Sequence, residues 1–600
     1  MFGYKVPRNH DEAVQIDAEN GNTKWVDSEL LEVTQLGDYN TFDDRGKAMY
    51  DKLGKLLNAP VGYKKIRVHF VYAVKHDGRH KARLVAGGHL TEVPLDSVYS
   101  GVVSLRSLRI VIFLAELNGL KIWQGDIGNA YLEAVTQEKL FIIAGPEFGD
   151  LQGHILVIYK ALYGLRTSGL RWHERFADTM RDMGFFPCKA DGDVWMRLNS
   201  DDIYEYVAVY VDDLAIAMKD PEEFIRQLKE VHGYKLKGVG PLEYHLGCDY
   251  KRSGGDLICS PTKYITKSLE AFEKMFGHQP KEYCSPLDKN DHPELDESLE
   301  LDQVGVKKYQ SLIGTLQWLV SLGRFDIATA VMTMSRFRAA PKQGHLDRLK
   351  RVFGYVRRHN NAHIRFRVEE PDYSDLPDQD YDWMYTVYGK VAEVIPKDIP
   401  IAKGKPVVLT TYVDANLYHD LITGRSVTGI LHLINKTPLD WYTKRQATVE
   451  TATYGSEFVA ARIAVDQVID IRSTLRYFGV HVKHKTIMFG DNQSVIASST
   501  MPHSKLAKRH NALAYHRVRE AVASGILGFY KIDGTKNPAD ILSKHCGHPQ
   551  AWPLLQPLLF WGGNTTEVPD EEETSEDSEQ IKAVWWSLHM MIQACTIGEC

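Results

Sequence analysis

The chain has 600 residues, too many for one hydrophobic core, and its 44% hydrophobic and 25% charged content is that of a soluble protein of roughly three or four domains. The net charge of -6 hides an acidic run, Glu567–Glu579, that holds eight acids and no base; the remaining 72 basic and 70 acidic residues leave the body near neutrality, at +2. Seven cysteines without a CxxC pair exclude a zinc finger and a disulfide framework, and the absence of an apolar run of about 18 residues excludes a helical membrane span.

In chain order, residues 1–60 are mixed and polar, with short helical patterns such as "DSELLEVTQLGDY". The alternation in "KIRVHFVYAVKHDGRHKARLVAGG" predicts a hairpin turning at Asp77-Gly78. "SLRSLRIVIFLAELNG" predicts a helix that Gly119 terminates, and "LKIWQGDIGNAYLEA" begins as a strand. A helix follows "ALYGLRTSG", two strands flank "YVDD" over 203–218, and a charged helix covers 221–232. Residues 306–360 are helical again, residues 366–406 are rich in acid and proline and read as a boundary, and a second α/β unit runs from 407 to 545.

Asp212 and Asp213 fall between "EYVAVYV" and "LAIAM", two strands that are otherwise apolar. Aspartate is a common turn residue, so alone the pair reads as an ordinary hairpin tip. Asp126, at the end of another strand and followed by small residues, changes that reading. One acid on one strand and two at a neighbouring tip can share divalent ions, which clamp the attacking and leaving oxygens of a phosphoryl transfer.

These stretches resemble the reverse transcriptase of copia-type LTR retrotransposons. The resemblance rests on "HKARLVAGGH" (80–89), "GDIGNAYLEA" (125–134), "ALYGLRTSGLRW" (161–172), "YVDD" (210–213), "LEYHLGCDY" (242–250) and "YQSLIGTLQWLVSLGRFDIATAVMTMSRF" (309–337), in the family's order. It implies that Asp126 and Asp212 are the main metal ligands of a palm-type site and that Asp213 is its third acid. It implies that Tyr131 lies under the sugar of the incoming nucleotide, excluding a 2′-hydroxyl. Lys81 and Arg83 would meet the triphosphate, and Gly164 and Ser168 would line the nucleotide pocket. Leu246-Gly247 resembles a primer-grip turn, and Lys235 or Lys237 would protonate pyrophosphate. The chain departs from the family pattern at Gly87, in the side chains of "DIGNAYLEA", and at Ser168-Gly169.

In the second unit, Asp414 lies in the first strand, Asp491 ends a later strand, and Asp540 sits in the first turn of a helix that Pro538 can start. On the intervening helix Ala461, Ala464, Val468, Ile471 and Leu475 form an apolar stripe that extends back onto Glu457. That glutamate either reaches solvent at the helix end or faces a metal. Asp, Glu, Asp, Asp in this order resembles ribonuclease H, and "GRSVTG", "WYTKRQATVETATYGSEF", "DNQS" and "NPADILSK" resemble its copia version. "VDANLYHD", with Asn416, departs from the family's first strand. The resemblance implies two Mg²⁺ ions in each of the two active sites, with Mn²⁺ as the alternative, and Asp414, Glu457, Asp491 and Asp540 as ligands of the nuclease pair. His510 and His516 receive no role, and the bases of 505–519 are candidates for phosphate contact.

The expected fold is therefore α+β and multidomain: a fingers–palm–thumb polymerase followed by an RNase H-like α/β domain. The boundaries are a lead-in at 1–60, fingers and palm at 61–255, a mostly helical thumb and connection at 256–406, the RNase H-like domain at 407–546 and an acidic, disordered tail at 547–600. The expected function is RNA-directed DNA synthesis with degradation of the RNA of the hybrid, and the alternative is a decayed or domesticated copy that binds nucleic acid without catalysis. The expected partners are an RNA template, a DNA primer, the RNA–DNA hybrid and deoxynucleoside triphosphates, with no membrane. With no targeting signal, the chain is placed in the cytoplasm, within virus-like particles, or in the nucleus. No protease or zinc-knuckle motif is seen, so the chain reads as part of a longer polyprotein, a processed product or a truncated copy.

Overall fold

A computed structural model describes residues 5–74, 78–91, 98, 100–506 and 508–560. Asp77, the acidic run and Trp585-Trp586 lie outside the described residues. The chain divides into two compact units, one of residues 1–242 with 400–404 and 477–479, the other of 243–399, 405–476 and 480 onward.

In the first unit the two helices His10–Asn20 and Lys24–Asp38 are not merely a lead-in. Trp25 and Leu36 share a core with Phe70, Leu84 and Leu140, so the N-terminal segment completes the fingers. Glu32 accepts the Leu84 N–H at 3.1 Å, and the Tyr72 hydroxyl donates to Glu29. Strands Val68–Val74 and His80–Ala86 form the predicted antiparallel ribbon, with Arg83 opposite Val71 and Lys81 opposite Ala73. Ala82, Leu84 and Ala86 are buried and alternate with less buried Lys81 and Arg83, as a period of two requires.

The palm is a six-stranded antiparallel sheet in the order Leu236–Pro241, Lys121–Ile127, Asp213–Met218, Tyr204–Tyr210, Asp191–Leu198, Phe186–Cys188. Helices Ser168–Asp182 and Pro221–Glu230 share its core, through Trp172, Phe176, Met180, Phe224 and Leu228 against Val207, Val209, Leu214 and Ile216. Helix Leu105–Asn118 begins where Ser104 accepts the Ser107 N–H and stops at Gly119, whose φ of 71° only glycine adopts readily.

The second unit opens with a four-stranded sheet in the order Tyr244–His245, Cys248–Ser253, Asp256–Ser260, Ile364–Phe366. Residues 243–255 pair with this sheet, so the palm ends at Leu242 rather than at 255. Helices Thr262–Phe276, Gln303–Ser321, Ala328–Met334 and Gln343–Arg358 enclose one apolar core. The RNase H-like sheet follows in the order Thr437–Arg445, Arg425–Ile434, Leu409–Asp420, Thr486–Gly490, Leu527–Lys531. Its first three strands are antiparallel and the last two join in parallel.

Two expectations on boundaries need correction. Residues 371–393 are not a bare linker: Trp383 is buried in the nuclease-like core, and Gln379 makes two hydrogen bonds to the Phe529 backbone of the edge strand. Glu393 bridges Arg472 and Arg476, whose hydrogen bonds overcome burial and hold its carboxyl down at about 2. Nor does the tail begin at 547. Helix His548–Leu559 buries Leu554, Leu555 and Leu559 against Phe325, Ile541 and Leu542, because its apolar side chains have a core to enter. Among the described residues no helix is long and apolar enough to cross a membrane.

Candidate active sites

In the palm, strand register brings the predicted acids together. Asp126 lies directly opposite Asp213, and Lys237 of the edge strand lies opposite Asp126 on the other side. Directly opposed residues project from the same face, so the three side chains share one surface. Asp212 occupies the hairpin tip between them. Val211 beside it has φ 60°, a left-handed backbone that a β-branched residue adopts at a cost of about 1–3 kcal/mol. Three hydrogen bonds hold that turn: the Trp172 indole N–H to Val211 O (2.8 Å), Ile127 N–H to Asp212 O (2.8 Å) and Val103 N–H to Val209 O (3.0 Å). Burial, then the charges of Asp212 and Asp126, push the Asp213 carboxyl up to about 6. A divalent cation would relieve that repulsion, and hard carboxylates are the donor set Mg²⁺ prefers.

The fingers residues approach the same acids through a chain of rings. The Arg83 guanidinium stacks over Tyr163 at 4.5 Å, and Tyr163 lies 5.0 Å from Tyr131. Burial and the charge of Asp212 raise the Tyr131 phenol, so that ring is close enough to sense the hairpin tip. Of the two candidate lysines, Lys235 stacks over Tyr39 at 4.2 Å while Lys237 faces Asp126, which favours Lys237.

Two predicted pocket residues turn out to serve the loop itself. Ser168 is buried and its hydroxyl donates to Leu162 O at 2.6 Å, which ties the preceding loop to the start of the helix. Gly164, at φ 89°, interlocks with Gly88: an added Cβ would lie 2.3 Å from Ala86 O at the first and 2.1 Å from Gly164 O at the second. This close backbone approach clamps the loop to the base of the ribbon that carries Lys81 and Arg83. Leu246-Gly247 likewise belongs to the second unit, where Gly247 sits against Leu322 and Trp318.

The second unit holds a tighter acidic group. Asp414, Glu457 and Asp491 can place ligand oxygens within 4.8 Å of one another, and among the described residues they are the one group of three so gathered. Each position follows from its element. Asp414 lies in the central strand, Asp491 directly follows strand Thr486–Gly490 just before Asn492 caps a helix, and Glu457 continues the buried stripe predicted for helix Thr453–Tyr477. Burial, then the charges of Asp414 and Asp491, push the Glu457 carboxyl well above the carboxylate range. Asp491 is raised by burial and by Asp414. Glu457 and Asp491, so raised beside Asp414, fit a divalent ion, which neutralises the crowded carboxylates together.

Asp540 stands apart from that group of three. It opens a single-turn helix, Asp540–Ser543, that Asn537 rather than Pro538 prepares: Asn537 accepts the Ala539 N–H and donates to Val413 O at 3.0 Å. Its carboxylate is taken by Lys544 one turn on, at 2.9 Å, and the same ammonium lies 3.6 Å from Asp414. Burial and the charge of Asp414, partly offset by Lys544, push Asp540 up to about 7. The Ser543 hydroxyl donates to Asp414.

Sequence reasoning missed Lys544 and Gly429. Gly429 is directly opposite Asp414, and a Cβ there would lie 2.6 Å from Ala539 O and 2.8 Å from Ser543 N. A glycine inside a strand pattern is the usual mark of another backbone passing close, and that signal was present in "SVTG". Gly429→Ala is expected to lift the Asp540 turn off the sheet and destabilise the fold by about 1–3 kcal/mol. Thermal melting checks this; an unchanged midpoint contradicts it.

The candidate phosphate contacts at 505–519 are partly used internally. The buried Arg519 donates to the carbonyls of Ser498, Met501 and Pro502, and Arg517 pairs with Asp466. His510 lies 3.2 Å from the buried Glu450, and His516 bonds the Tyr388 hydroxyl at 2.7 Å. Asn416 meets His419 at 3.0 Å, away from any acid of the cluster.

Comparisons with known proteins concern the chain as a whole. The family model for reverse transcriptase (RNA-dependent DNA polymerase) matches residues 51–283. The chain is 27% identical over 512 residues to the Retrovirus-related Pol polyprotein from transposon TNT 1-94 of Nicotiana tabacum, covering 82% of this chain and 35% of that protein. It is 26% identical over 473 residues to the corresponding polyprotein from transposon RE1 of Arabidopsis thaliana, covering 78% and 29%. It thus spans about a third of the length of these relatives. The Putative transposon Ty5-1 protein of Saccharomyces cerevisiae is 25% identical over 355 residues, 57% of this chain and 100% of that protein. Among solved structures, a foamy viral protease-reverse transcriptase in complex with RNA/DNA hybrid matches 91% of this chain and 77% of its own at 10% identity, with a TM-score of 0.29. The family match over residues 51–283 and the likeness to transposon polyproteins over most of the chain support a reverse transcriptase region of the copia type.

Proposed function

We propose that the chain is an RNA-directed DNA polymerase that also cuts the RNA strand of the product hybrid. The observation that carries the polymerase reading is the register that sets Asp126 against Asp213, beside a strained tip bearing Asp212. The gathering of Asp414, Glu457 and Asp491 supports the nuclease reading. The partners would be an RNA template, a DNA primer, deoxynucleoside triphosphates and the hybrid.

Mg²⁺, when bound, supplies Lewis-acid activation of the attacking oxygen and charge neutralisation at the phosphate in both reactions. The remaining work belongs to the chain. Asp126, Asp212 and Asp213 would hold the cations and so fix the phosphoryl group in line with the primer terminus. Lys81 and Arg83, on the less buried face of the ribbon, bind the triphosphate, and stacking on Tyr163 holds the Arg83 guanidinium in place. Lys237, opposite Asp126, donates a proton to the departing pyrophosphate. Tyr131 floors the sugar and leaves no room for a 2′-hydroxyl.

The last role gives a direct test of this site. On an RNA template, Tyr131→Ala is expected to raise incorporation of ribonucleotides relative to deoxynucleotides by about 10²-fold, a change of about 2.7 kcal/mol. Single-nucleotide primer extension with each substrate measures the ratio. An unmodified protein that extends no primer, or a variant with unchanged selectivity, contradicts the reading.

A further inference from the structure

The nuclease-like site has four carboxylates, but they are not equivalent. Asp414, Glu457 and Asp491 converge on one another. Asp540 instead faces the ammonium of Lys544, and that ammonium also reaches toward Asp414. The lysine is not a surface decoration. It follows Asp540 by one helical turn, its side chain is 30% exposed, and its partners are 2% and 5% exposed. A cation bridging two buried acids sits where an ion shared by those two acids would have to sit, and like charges at such a distance exclude one another.

We propose that Lys544 stands in for one of the two cations of the nuclease site. The resting site then takes one divalent ion at Asp414, Glu457 and Asp491, and a second ion enters between Asp414 and Asp540 only when the ammonium swings out. This rests on the nuclease reading above and adds to it an ordered, unequal loading of metal. Lys544 is a positioning residue: it holds Asp540 against the sheet and sets the affinity for the second ion without touching the hybrid.

The test is a Mn²⁺ titration by isothermal calorimetry, with free Mn²⁺ followed in parallel by electron paramagnetic resonance. The full chain is used with Asp126, Asp212 and Asp213 all changed to asparagine, so that the palm takes up no metal. This parent is expected to bind one equivalent tightly, with any second constant at least tenfold weaker. Lys544→Met is expected to strengthen the second constant at least tenfold, and Lys544→Arg to keep the parent's behaviour. A salt bridge that only stabilises the turn would leave the stoichiometry and the ratio of constants unmoved. Two equal equivalents in the parent overturn the proposal without recourse to any lysine variant, and so does a Lys544→Met protein that titrates like the parent. A parent that binds no Mn²⁺, with Asp491→Asn changing nothing, instead removes the nuclease reading itself and the inference with it.

Discussion

Asp212→Asn should reduce RNA-templated primer extension about a thousandfold or more while leaving the fold intact. The reason lies in how the tip is held. Val211 stays in its left-handed conformation because Trp172, Ile127 and Val103 bond the surrounding backbone, none of them through the Asp212 carboxylate. The amide therefore occupies the same place without the charge that a metal ion needs. The same variant removes a negative neighbour from Asp213, whose carboxyl stands near 6 because of burial and repulsion. In the unmodified protein a metal ion must displace a proton there below that value, so apparent metal affinity should fall about tenfold per pH unit under pH 6. In Asp212→Asn the Asp213 carboxyl drops toward its ordinary range. Calorimetric Mn²⁺ titrations at pH 5 and pH 7 measure both effects; pH-independent affinity in the unmodified protein would contradict the account.

Glu457→Gln carries the second large effect, and it runs in opposite directions for activity and stability. Hybrid cleavage should fall about a thousandfold, because the loss removes a ligand that the helix positions on its buried stripe. Primer extension should persist. Without metal, the folded protein holds Glu457 far above its unfolded pKa, so the stability present below the ordinary carboxylate range is progressively lost as pH rises from there toward the raised value. The uncharged amide avoids that cost. The metal-free variant should melt higher than the unmodified protein at pH 7, by about 2–4 °C for each kcal/mol recovered. Added Mg²⁺ should raise the midpoint of the unmodified protein and scarcely move that of the variant. Differential scanning calorimetry with and without metal reads both signs, and a variant less stable than the parent at neutral pH would refute the burial argument.

Much of this was legible in the sequence because periodicity and order survive without coordinates. The stripe ending at Glu457 was visible from its four- and three-residue spacing, and it is buried as that spacing requires. The hairpin around "YVDD" was visible from two apolar runs separated by the acids. What was not legible depends on partners distant in the chain. Asp540 looks like a fourth ligand in "NPADILSK", and only the folded turn reveals that Lys544 takes its carboxylate. Ser168 reads as a pocket residue, and only the fold shows that its hydroxyl also ties the loop through Leu162 O. The end of the palm at Leu242 is set by the pairing of Leu257–Cys259 with Ile364–Phe366, more than a hundred residues away, which no local pattern encodes. The helix His548–Leu559 was assigned to the tail because the nearby acidic run dominated the composition, whereas its leucines join a core built by residues 325–328 and 541–542.

The central claim is one chain with two separable phosphoryl-transfer sites. The most direct measurement is a single reaction on a 5′-labelled RNA template with a differently labelled DNA primer and Mg²⁺, run with the unmodified protein, Asp212→Asn and Glu457→Gln. The account predicts that the unmodified protein lengthens the primer and shortens the template. On a preformed hybrid included in the same series, Asp212→Asn should only cut the RNA and Glu457→Gln should only extend the primer. An unmodified protein that does neither, or one substitution that abolishes both activities, would contradict it.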